Sequence, residues 1–480
     1  SLGGRAQVFE KDGFRHDAGP TVITAPFMFE DLFSLFNEKL SDHLEFVPVS
    51  PWYRFHFPDG SNFDYGDDLA AFEAGMAKYR EADIEGYRRL LDASREIFEV
   101  GFEKLADQPF LKFTDMLKQV PALLRLRSDL TVSQFVKKYI THPYLQQALS
   151  IHPLLVGGNP YDTTSIYALI HYLERKWGVH FCMGGTGKLV TELEKLMRRH
   201  GVAIHTGADV EEIVVSGKKV TGIKCTDGHE MEADLVICNA DPPTVYREMM
   251  PVGGKSFLRP KKIIPEALTK YSMGLYVLYF GTKRQYPDVA HHTIWLGERF
   301  KGLLNDIFNK QIATDDFSLY LHRPTATDPS FAPEGCDSFY VLCPVPNLQG
   351  NIDWDVYGPE LRDRIVKALS ETIMPDLESH ITADFWMHPG DFEKQYRATY
   401  GAGFSIAPVF RQSAWFRYHN RDPDIGNLYF VGAGTHPGAG LPGVLSSAKA
   451  LEKMIPAQSN LQSQSYSDEL ASDVLAEVGE

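Results

Sequence analysis

The sequence has few cysteines and no long apolar run, and each shortage excludes a class of protein. Its 5 cysteines in 480 residues are widely spaced and form no Cys-x-x-Cys pair, so neither a disulfide framework nor a zinc site is predicted. This cysteine usage suits the reducing cytoplasm. No apolar stretch approaches the roughly 18 residues that cross a bilayer, and the first residues do not resemble a signal peptide. Membrane contact is therefore expected to be peripheral.

Positive charge is also scarce, and several catalytic motifs are missing. The chain carries 48 Lys and Arg against 63 Asp and Glu, a net charge of −15. Nucleic acid is an unlikely partner for it, because phosphate contacts need clustered basic side chains. There is no Gly-x-Ser-x-Gly and no His-Glu-x-x-His motif, so nucleophilic catalysis and metal-dependent hydrolysis are not indicated, and no metal site is expected.

The strongest local pattern lies near the C-terminus, in NLYFVGAGTHPGAGLPGVLSSAKALEKMI (427–455). A short apolar strand runs into Gly432-Ala433-Gly434, and after a glycine and proline loop a helix begins near Gly443 and Val444. This arrangement presents backbone N–H groups and the positive end of a helix dipole to an anion. Pro437 occupies the third glycine position of a GxGxxG motif, so the pattern predicts a closing module for a sheet begun elsewhere.

Two further glycine clusters have the form of ligand-binding loops. The run GGTGKLVTELEKLMRRHGVAI (184–204) opens a helix, but Lys188 is followed by Leu189, which excludes a P-loop. A plain helix entry is the alternative. The chain opens SLGGRAQVFEKDGFRHDAGPTVI, where Gly3 and Gly4 precede a predicted hairpin that turns at Lys11-Asp12-Gly13. Glycine lets the backbone approach a phosphate closely, and a surface hairpin is the alternative.

The region after the hairpin is predicted to be largely helical. Apolar residues recur at helical spacing over 84–105, which predicts an amphipathic helix. The next stretch, PFLKFTDMLKQVPALLRLRSDL (109–130), is both apolar and basic, and Pro121 is expected to break or kink it. A basic amphipathic segment favours docking on an anionic membrane, and a core-facing helix is the alternative. Its basic residues are Lys112, Lys118, Arg125 and Arg127.

Strand patterns dominate the second half of the chain. Short β-type runs over 202–241 predict a three-stranded meander and a strand returning to the main sheet at 235–238. A helix is predicted over 361–373, and the polar sequence after Met454 predicts disorder. Runs rich in aromatic and β-branched residues predict a second sheet; they are GLYVLYFG (274–281), FSLYLH (317–322) and SFYVLCPV (338–345).

Four long motifs, taken together and in order, resemble those of the bacterial phytoene desaturases. These enzymes form part of the carotenoid desaturase family, within the flavin-dependent amine-oxidase-like superfamily. The resemblance covers essentially residues 1–455. The motifs are GGRAQVFEKDGFRHDAGPTVIT, HPLLVGGNPYDTTSIYALIHYLERKWGVHFCMGGTGKLV, SLYLHRPTATDPSFAPEGCDSFYVLCPVPNL and NLYFVGAGTHPGAGLPGVLSSAKA.

The resemblance implies an α/β (α+β) fold, with a Rossmann-like FAD-binding domain, a mixed-sheet substrate domain and a helical membrane-associating region. In the family a βαβ unit precedes the position of Gly3, so the chain is expected to lack about 30 residues of FAD contacts and to bind FAD poorly without them. The implied division is 1–75 (FAD-binding remnant and start of the substrate domain), 76–180 (helical, membrane-associating), 181–245 (FAD-binding), 246–415 (substrate-binding), 416–456 (C-terminal FAD-binding segment) and 457–480 (disordered tail).

The resemblance also implies which residues hold FAD. Near the pyrophosphate, the ribityl chain and the adenine, the implied contacts are Gly3, Gly4, Arg5, Gly185 and the backbone of Val210. At the flavin ring, where a helix dipole stabilises negative charge on the reduced cofactor, they are Gly434, Gly443 and Val444.

The implied reaction is desaturation of phytoene to lycopene-type carotenoids, with a hydride passing to FAD and oxygen or a quinone as the final electron acceptor. A hydrocarbon has no charged group to which the protein could bind, so a long apolar channel is expected. Asp115 and Lys118, one helical turn apart, are the predicted acid–base pair, and an exposed surface pair is the alternative. An isomerase, ketolase or saturase on the same fold, or a non-catalytic isoprenoid-binding protein, also stays open.

Overall fold

A computed structural model describes residues 2–250 and 268–455. The predicted disordered tail, 457–480, lies outside the described residues, as do residues 251–267 of the predicted substrate-binding domain. The strands are β1 Val8–Lys11, β2 Phe14–Asp17, β3 Phe46–Pro48, β4 Tyr53–His56, β5 Asn62–Tyr65, β6 His180–Cys182, β7 Val210–Ser216, β8 Lys219–Cys225, β9 Glu230–Glu232, β10 Val236–Cys238, β11 Gly274–Thr282, β12 His292–Trp295, β13 Leu319–His322, β14 Asp337–Val345, β15 Ile381–Met387 and β16 Leu428–Phe430.

Helices cover both sides of the strands and supply most of one half of the molecule. None of the helices in the described residues combines the length and apolarity that a bilayer crossing requires. The helices are α1 Phe27–Ser34, α2 Leu69–Arg80, α3 Ala82–Gly101, α4 Phe113–Arg125, α5 Val132–Lys137, α6 Pro143–Ala148, α7 Leu169–Trp177, α8 Gly185–Arg199, α9 Pro242–Thr244, α10 Phe300–Asn305, α11 Trp354–Glu371, α12 Leu377–His380, α13 Pro389–Tyr396 and α14 Leu441–Glu452.

The predicted second sheet is confirmed as a mixed sheet of seven strands, in the order β15-β11-β14-β13-β12-β4-β5. Its pairs are antiparallel except for β12 with β4, which is parallel. All 9 residues of β11 are buried, because apolar clusters cover both faces of the sheet at this strand. That double burial explains the continuous apolar run in the sequence.

The helices predicted in this region are confirmed, and Pro121 does not end its helix. The helix predicted over 84–105 is α3, which packs against α7 and contributes to a core shared with β4 and β5. Helix α4 runs on through Pro121 rather than ending there. The carbonyl that loses its N–H donor belongs to Leu117, which is an exposed residue.

The two smaller strand groups position the glycine loops. Strands β7, β8 and β9 form the predicted meander, and β10 returns to pair in parallel with β16. Strand β16 is shorter than the predicted apolar run because Gly432, at φ +94°, turns the chain. Helix α14 begins at Leu441, slightly before the predicted start, because Pro442 fits the first turn, where a helix needs no N–H.

The opening hairpin is also confirmed, as β1 and β2 in antiparallel register. Its turn places Asp12 at φ +51° and Gly13 at φ +85°. At its far end, the buried Asp17 accepts hydrogen bonds from the backbone N–H (3.0 Å) and hydroxyl (2.9 Å) of Thr186. The hairpin is thereby fixed to the start of α8, which holds Gly3 and Gly4 beside the C-terminal glycine loop and the sheet.

Candidate functional site

A cavity of about 1390 Å³ runs between the glycine loops, the seven-stranded sheet and the helical region. This volume exceeds the roughly 300–1,000 Å³ of an ordinary small-molecule site. One end is rich in glycine and polar groups, and the other end is almost entirely apolar. The cavity therefore has room for two ligands of different chemistry that meet inside the protein.

At the polar end, the chain's first turn forms part of the wall. Gly3 and Gly4 line the cavity and have φ values of +94° and +52°. A Cβ at Gly4 would meet no atom within 4 Å, so this position is open to a ligand that approaches the backbone. Arg5 also lines the cavity and donates from Nη1 to the carbonyl of Gly403 at 2.8 Å. Burial lowers the pKa of its guanidinium, and Asp241 opposes that shift.

The C-terminal loop brings backbone close to the opposite wall. Gly434, Gly443 and Val444 line the cavity, and the N-terminus of α14 lies among them. Their contact with a flavin ring stays a prediction. A Cβ at Gly443 would lie 2.6 Å from the carbonyl oxygen of Gly438, and one at Gly434 would collide with Pro242. Only glycine allows this close packing, which leaves the start of the helix facing the cavity.

Arg417 holds this loop in place, and the sequence did not reveal it. The side chain is fully buried and donates from Nε to the carbonyl of Thr435 (2.9 Å) and from Nη2 to the carbonyl of Ala433 (2.6 Å). By satisfying the loop carbonyls from behind, it supports the backbone that lines the cavity. The only signal was a single basic residue within the aromatic run AWFRYH.

The other end of the cavity is walled by aliphatic side chains from both halves of the molecule. Such surfaces bind a ligand by removing apolar area from water, at about 25 cal/mol per Å². The sheet contributes Leu275, Ile294, Leu319 and Leu342, and the helices contribute Met116, Leu123, Leu173 and Leu303.

A cluster of hydrogen-bonded hydroxyl groups lies within this apolar wall. Thr21, Tyr320 and Tyr340 line the cavity, and the Thr21 hydroxyl is hydrogen-bonded to the hydroxyls of Tyr320 (3.1 Å) and Tyr340 (2.7 Å). Burial raises the pKa of Tyr320 to about 12, so its hydroxyl stays protonated at neutral pH. Sequence reasoning placed both tyrosines in strands but had no means of bringing them to Thr21.

The predicted acid–base pair lies beside the cavity rather than within its lining. Asp115 and Lys118 form an ion pair of 3.4 Å on α4, with side chains 36% and 72% exposed. Their neighbours Met116 and Gln119 do line the cavity. An acid–base role for the pair stays a prediction, because it requires the Asp115 carboxylate to reach past the wall that its own helix forms.

Two other predicted contacts also lie outside the cavity lining. Gly185, at φ +73°, packs where a Cβ would collide with Asp17, so its requirement for glycine comes from helix packing. The carbonyl of Val210 accepts a hydrogen bond from Arg397 at 3.1 Å, and the preceding Asp209 lines the cavity instead. Contact between Val210 and an adenine stays a prediction.

With this geometry in hand, the comparisons define the class of protein. The model of the flavin containing amine oxidoreductases matches residues 1–450, and the chain belongs to this family. It is therefore a flavin-dependent oxidoreductase, with the predicted mixed α/β fold. A putrescine oxidase solved with putrescine bound has a TM-score of 0.60 at 13% identity, covering 94% of this chain and 91% of that one. At this low identity the likeness supports the fold alone.

Within the family, the chain is similar to phytoene desaturases, which confirms the resemblance seen in the motifs. A phytoene desaturase (lycopene-forming) from Pseudescherichia vulneris is 47% identical over 460 residues, which are 94% of this chain and 92% of that protein. Another, from Pantoea ananas, is 46% identical over 449 residues, covering 93% of this chain and 91% of that one.

The residues at the polar end fit a flavin cofactor. Open space beside the backbone of Gly4 leaves room for a bulky polar ligand. The start of α14 offers a positive dipole end to negative charge on a ring. Arg5, buried against the wall, adds a cation to the same end of the cavity.

Proposed function

We propose that the protein is an FAD-dependent desaturase that introduces double bonds into phytoene or a related long isoprenoid hydrocarbon. The observation that carries the proposal is the single cavity, whose glycine-rich end opens directly into an aliphatic one. Support for the particular substrate comes from the relatives, which are phytoene desaturases of the lycopene-forming kind.

FAD is the form of flavin that we propose. We assign its pyrophosphate and ribityl chain to Gly3, Gly4 and Arg5, and its ring to Gly434, Gly443 and Val444, six residues that line the polar end. Bound FAD supplies the chemistry of hydride acceptance from an unactivated carbon. The backbone of Val210 stays the proposed adenine contact, next to the lining residue Asp209.

The protein's own contribution to the reaction is binding and alignment. The hydrocarbon has no polar group, so the aliphatic walls hold it by excluding water and by matching its shape. Holding the reacting bond against the cofactor makes the reaction between the two ligands effectively unimolecular. Reoxidation by oxygen or a quinone completes the cycle.

Desaturation also releases a proton, and Asp115 is our proposed acceptor. Its helix contributes Met116 and Gln119 to the cavity wall, so a small displacement of α4 would bring the carboxylate to the substrate. The Nζ of Lys118 lies 3.4 Å from the same carboxylate.

We further propose that α4 docks the protein on an anionic membrane, from which the substrate enters. One side of the helix lines the cavity, while Phe113, Leu117 and Leu124 are exposed. Lys112 and Arg125 are also exposed on this segment. An exposed apolar face flanked by basic residues is the pattern of a peripheral membrane helix.

Product analysis tests the proposed reaction. The protein is incubated with phytoene, FAD and liposomes, and the pigments are separated by chromatography. We expect products with more conjugated double bonds than phytoene, formed without a nicotinamide cofactor. Phytoene recovered unchanged beside flavin-loaded protein would contradict the proposal and favour an isoprenoid-binding protein. A product with the same number of double bonds would favour an isomerase.

A further inference from the structure

Three buried histidines converge behind the wall of the cavity. His291, His292 and His322 can each direct one ring nitrogen to a common point, with these nitrogens within 4.8 Å of one another. His292 and His322 are register partners on the antiparallel strands β12 and β13, so their side chains share one face of the sheet. The aromatic ring of Phe181 packs against His291 and His322.

Each of these rings has at least one buried nitrogen with no hydrogen-bond partner among the described residues. Nδ1 of His291 is bonded to the hydroxyl of Thr327 at 2.6 Å, and Nδ1 of His292 to the hydroxyl of Tyr320 at 2.8 Å. Among the described residues, Nε2 of both rings and both nitrogens of His322 are buried with no hydrogen-bond partner. An unsatisfied buried polar atom costs about 1–3 kcal/mol, so several at one point indicate a missing ligand.

A buried carboxylate lies beside one of the three rings, that of His322. Oδ1 of Asp17 accepts both hydrogen bonds from Thr186, whereas its buried Oδ2 has no hydrogen-bond partner among the described residues. This Oδ2 lies 3.8 Å from Nε2 of His322. Asp17 is not one of the three groups that could hold an ion together, but a carboxylate beside His322 would offset part of the charge of a bound dication.

We propose that His291, His292 and His322 bind a divalent metal ion of the zinc class, with Asp17 beside it. Imidazole and carboxylate are the donors that Zn²⁺ takes in proteins. A ligating histidine nearly always has its other ring nitrogen hydrogen-bonded to an outer group, and Thr327 and Tyr320 occupy those positions. The sequence led us to expect no metal site, because His291 and His292 lack the His-Glu-x-x-His spacing and the third histidine, His322, comes from another strand.

The site is connected to the cavity through Tyr320. With Nε2 of His292 on the metal, its Nδ1 carries the proton and donates to the Tyr320 oxygen. The Tyr320 hydroxyl then donates to Thr21, 3.1 Å away on the cavity wall. A metal ion would thus fix the direction of the hydrogen bonds on that wall. The inference concerns metal binding and does not depend on the proposed reaction.

Metal content tests the site directly. The full chain is purified without a metal-affinity tag from zinc-supplemented cells and analysed by mass spectrometry. We expect one zinc ion per chain, lost in His322→Phe, whose ring preserves the packing against Phe181. The matched control is His229→Gln, because this histidine is exposed on a hairpin; it retains the zinc. Zinc that is absent from the wild type, or equally present in His322→Phe, would overturn the proposal.

A second measurement decides the question if His322→Phe does not fold. The wild-type protein is treated with a chelator and loaded with Co²⁺, and its visible spectrum is recorded. We expect the absorption of cobalt with nitrogen ligands in a low-symmetry site, together with a higher melting temperature than the metal-free protein. A spectrum identical to that of aqueous cobalt, with no change in melting temperature, would overturn the proposal.

Discussion

At Gly443 the backbone of α14 passes so close to the preceding loop that a methyl group has no room. A Cβ there would lie 2.6 Å from the carbonyl oxygen of Gly438, so Gly443→Ala must displace the loop or the helix start. Such overpacking costs about 1–3 kcal/mol, and we expect flavin affinity to fall by roughly 10- to 100-fold. Titration of the flavin with absorbance detection measures this effect.

Gly75→Ala is the matched control for that substitution. Gly75 lies within helix α2 and its added Cβ would be 3.5 Å from the ring of Phe63, an ordinary contact. This variant is expected to bind flavin like the wild type. Equal flavin affinity in Gly443→Ala and Gly75→Ala would contradict the assignment of Gly443 to the cofactor site.

Because His436 is buried, we expect the folded protein to lose stability in mild acid. Burial lowers its pKa to about 4, below the roughly 6.5 of an unfolded chain. As the pH falls through this interval the unfolded state binds the proton first, so stability present at pH 7 is lost, by about 2 kcal/mol at pH 5 for this group. His436→Gln keeps a donor for the carbonyl of Leu105, 3.2 Å from Nε2.

We therefore expect the melting temperature of His436→Gln to fall less between pH 7 and pH 5 than that of the wild type. His229→Gln, at an exposed position, serves as the control and should keep the wild-type pH dependence. If both variants follow the wild-type curve, His436 does not titrate as its burial implies.

The proposed role of Asp115 is tested by Asp115→Asn. Loss of a general base lowers the rate by about 10²- to 10⁴-fold, and we expect a fall in the desaturation rate within this range with flavin binding unchanged. The matched control is Asp92→Asn, because Asp92 forms a similar exposed pair with Arg95 one helical turn away (3.3 Å). Equal rates in the two variants would identify Asp115 as a surface residue.

Residues in local motifs were the ones that sequence could predict. Gly434, Gly443 and Val444, which we expect at the flavin, all line the cavity, because one short strand, one loop and one helix start fix them together. Arg417 and the hydroxyl cluster of Thr21, Tyr320 and Tyr340 depend on contacts between distant segments. No spacing along the chain encodes those contacts.

At the scale of elements, the prediction of membrane docking concerns helix α4. Replacing Lys112, Lys118, Arg125 and Arg127 with glutamate should weaken association with anionic liposomes by at least about tenfold, since each basic group near such a surface contributes roughly 1 kcal/mol. Lys118 and Arg127 contribute less, because Asp115 and Asp129 already pair with them. Liposome flotation measures the change.

The control for α4 applies the same change of net charge to other elements. It replaces the exposed Lys78, Lys138, Lys219 and Lys367 with glutamate and should leave flotation near the wild-type level. Equal losses in the two variants would show a general charge effect, and unchanged flotation in the α4 variant would contradict membrane docking through this helix.

Elements were predicted well where one physical pattern dominated. The spacing of apolar residues along the sequence directly predicts helix α3 and the buried strands of the main sheet. The sequence left open whether Pro121 breaks or kinks the helix, because that depends on the surroundings of the carbonyl of Leu117, which only the tertiary fold decides. The three-histidine cluster was missed because it requires the register of β12 against β13.

At the scale of the whole molecule, the account depends on one cavity with two kinds of wall. Glycine loops from both ends of the chain form one wall, and the sheet and helices form the other. Sequence patterns indicated each wall separately. That they meet in one space follows from the packing of the hairpin β1–β2 onto α8 and of α14 beside them.

The most direct test of this central claim is the response of the bound flavin to phytoene when oxygen and quinones are excluded. Flavin-loaded protein is mixed with phytoene in liposomes, and the absorbance of flavin and carotenoid is followed together. The account predicts that the flavin is reduced and loses its yellow colour while an equal amount of a more conjugated carotenoid forms. A flavin that stays oxidised while phytoene is bound or isomerised would contradict it.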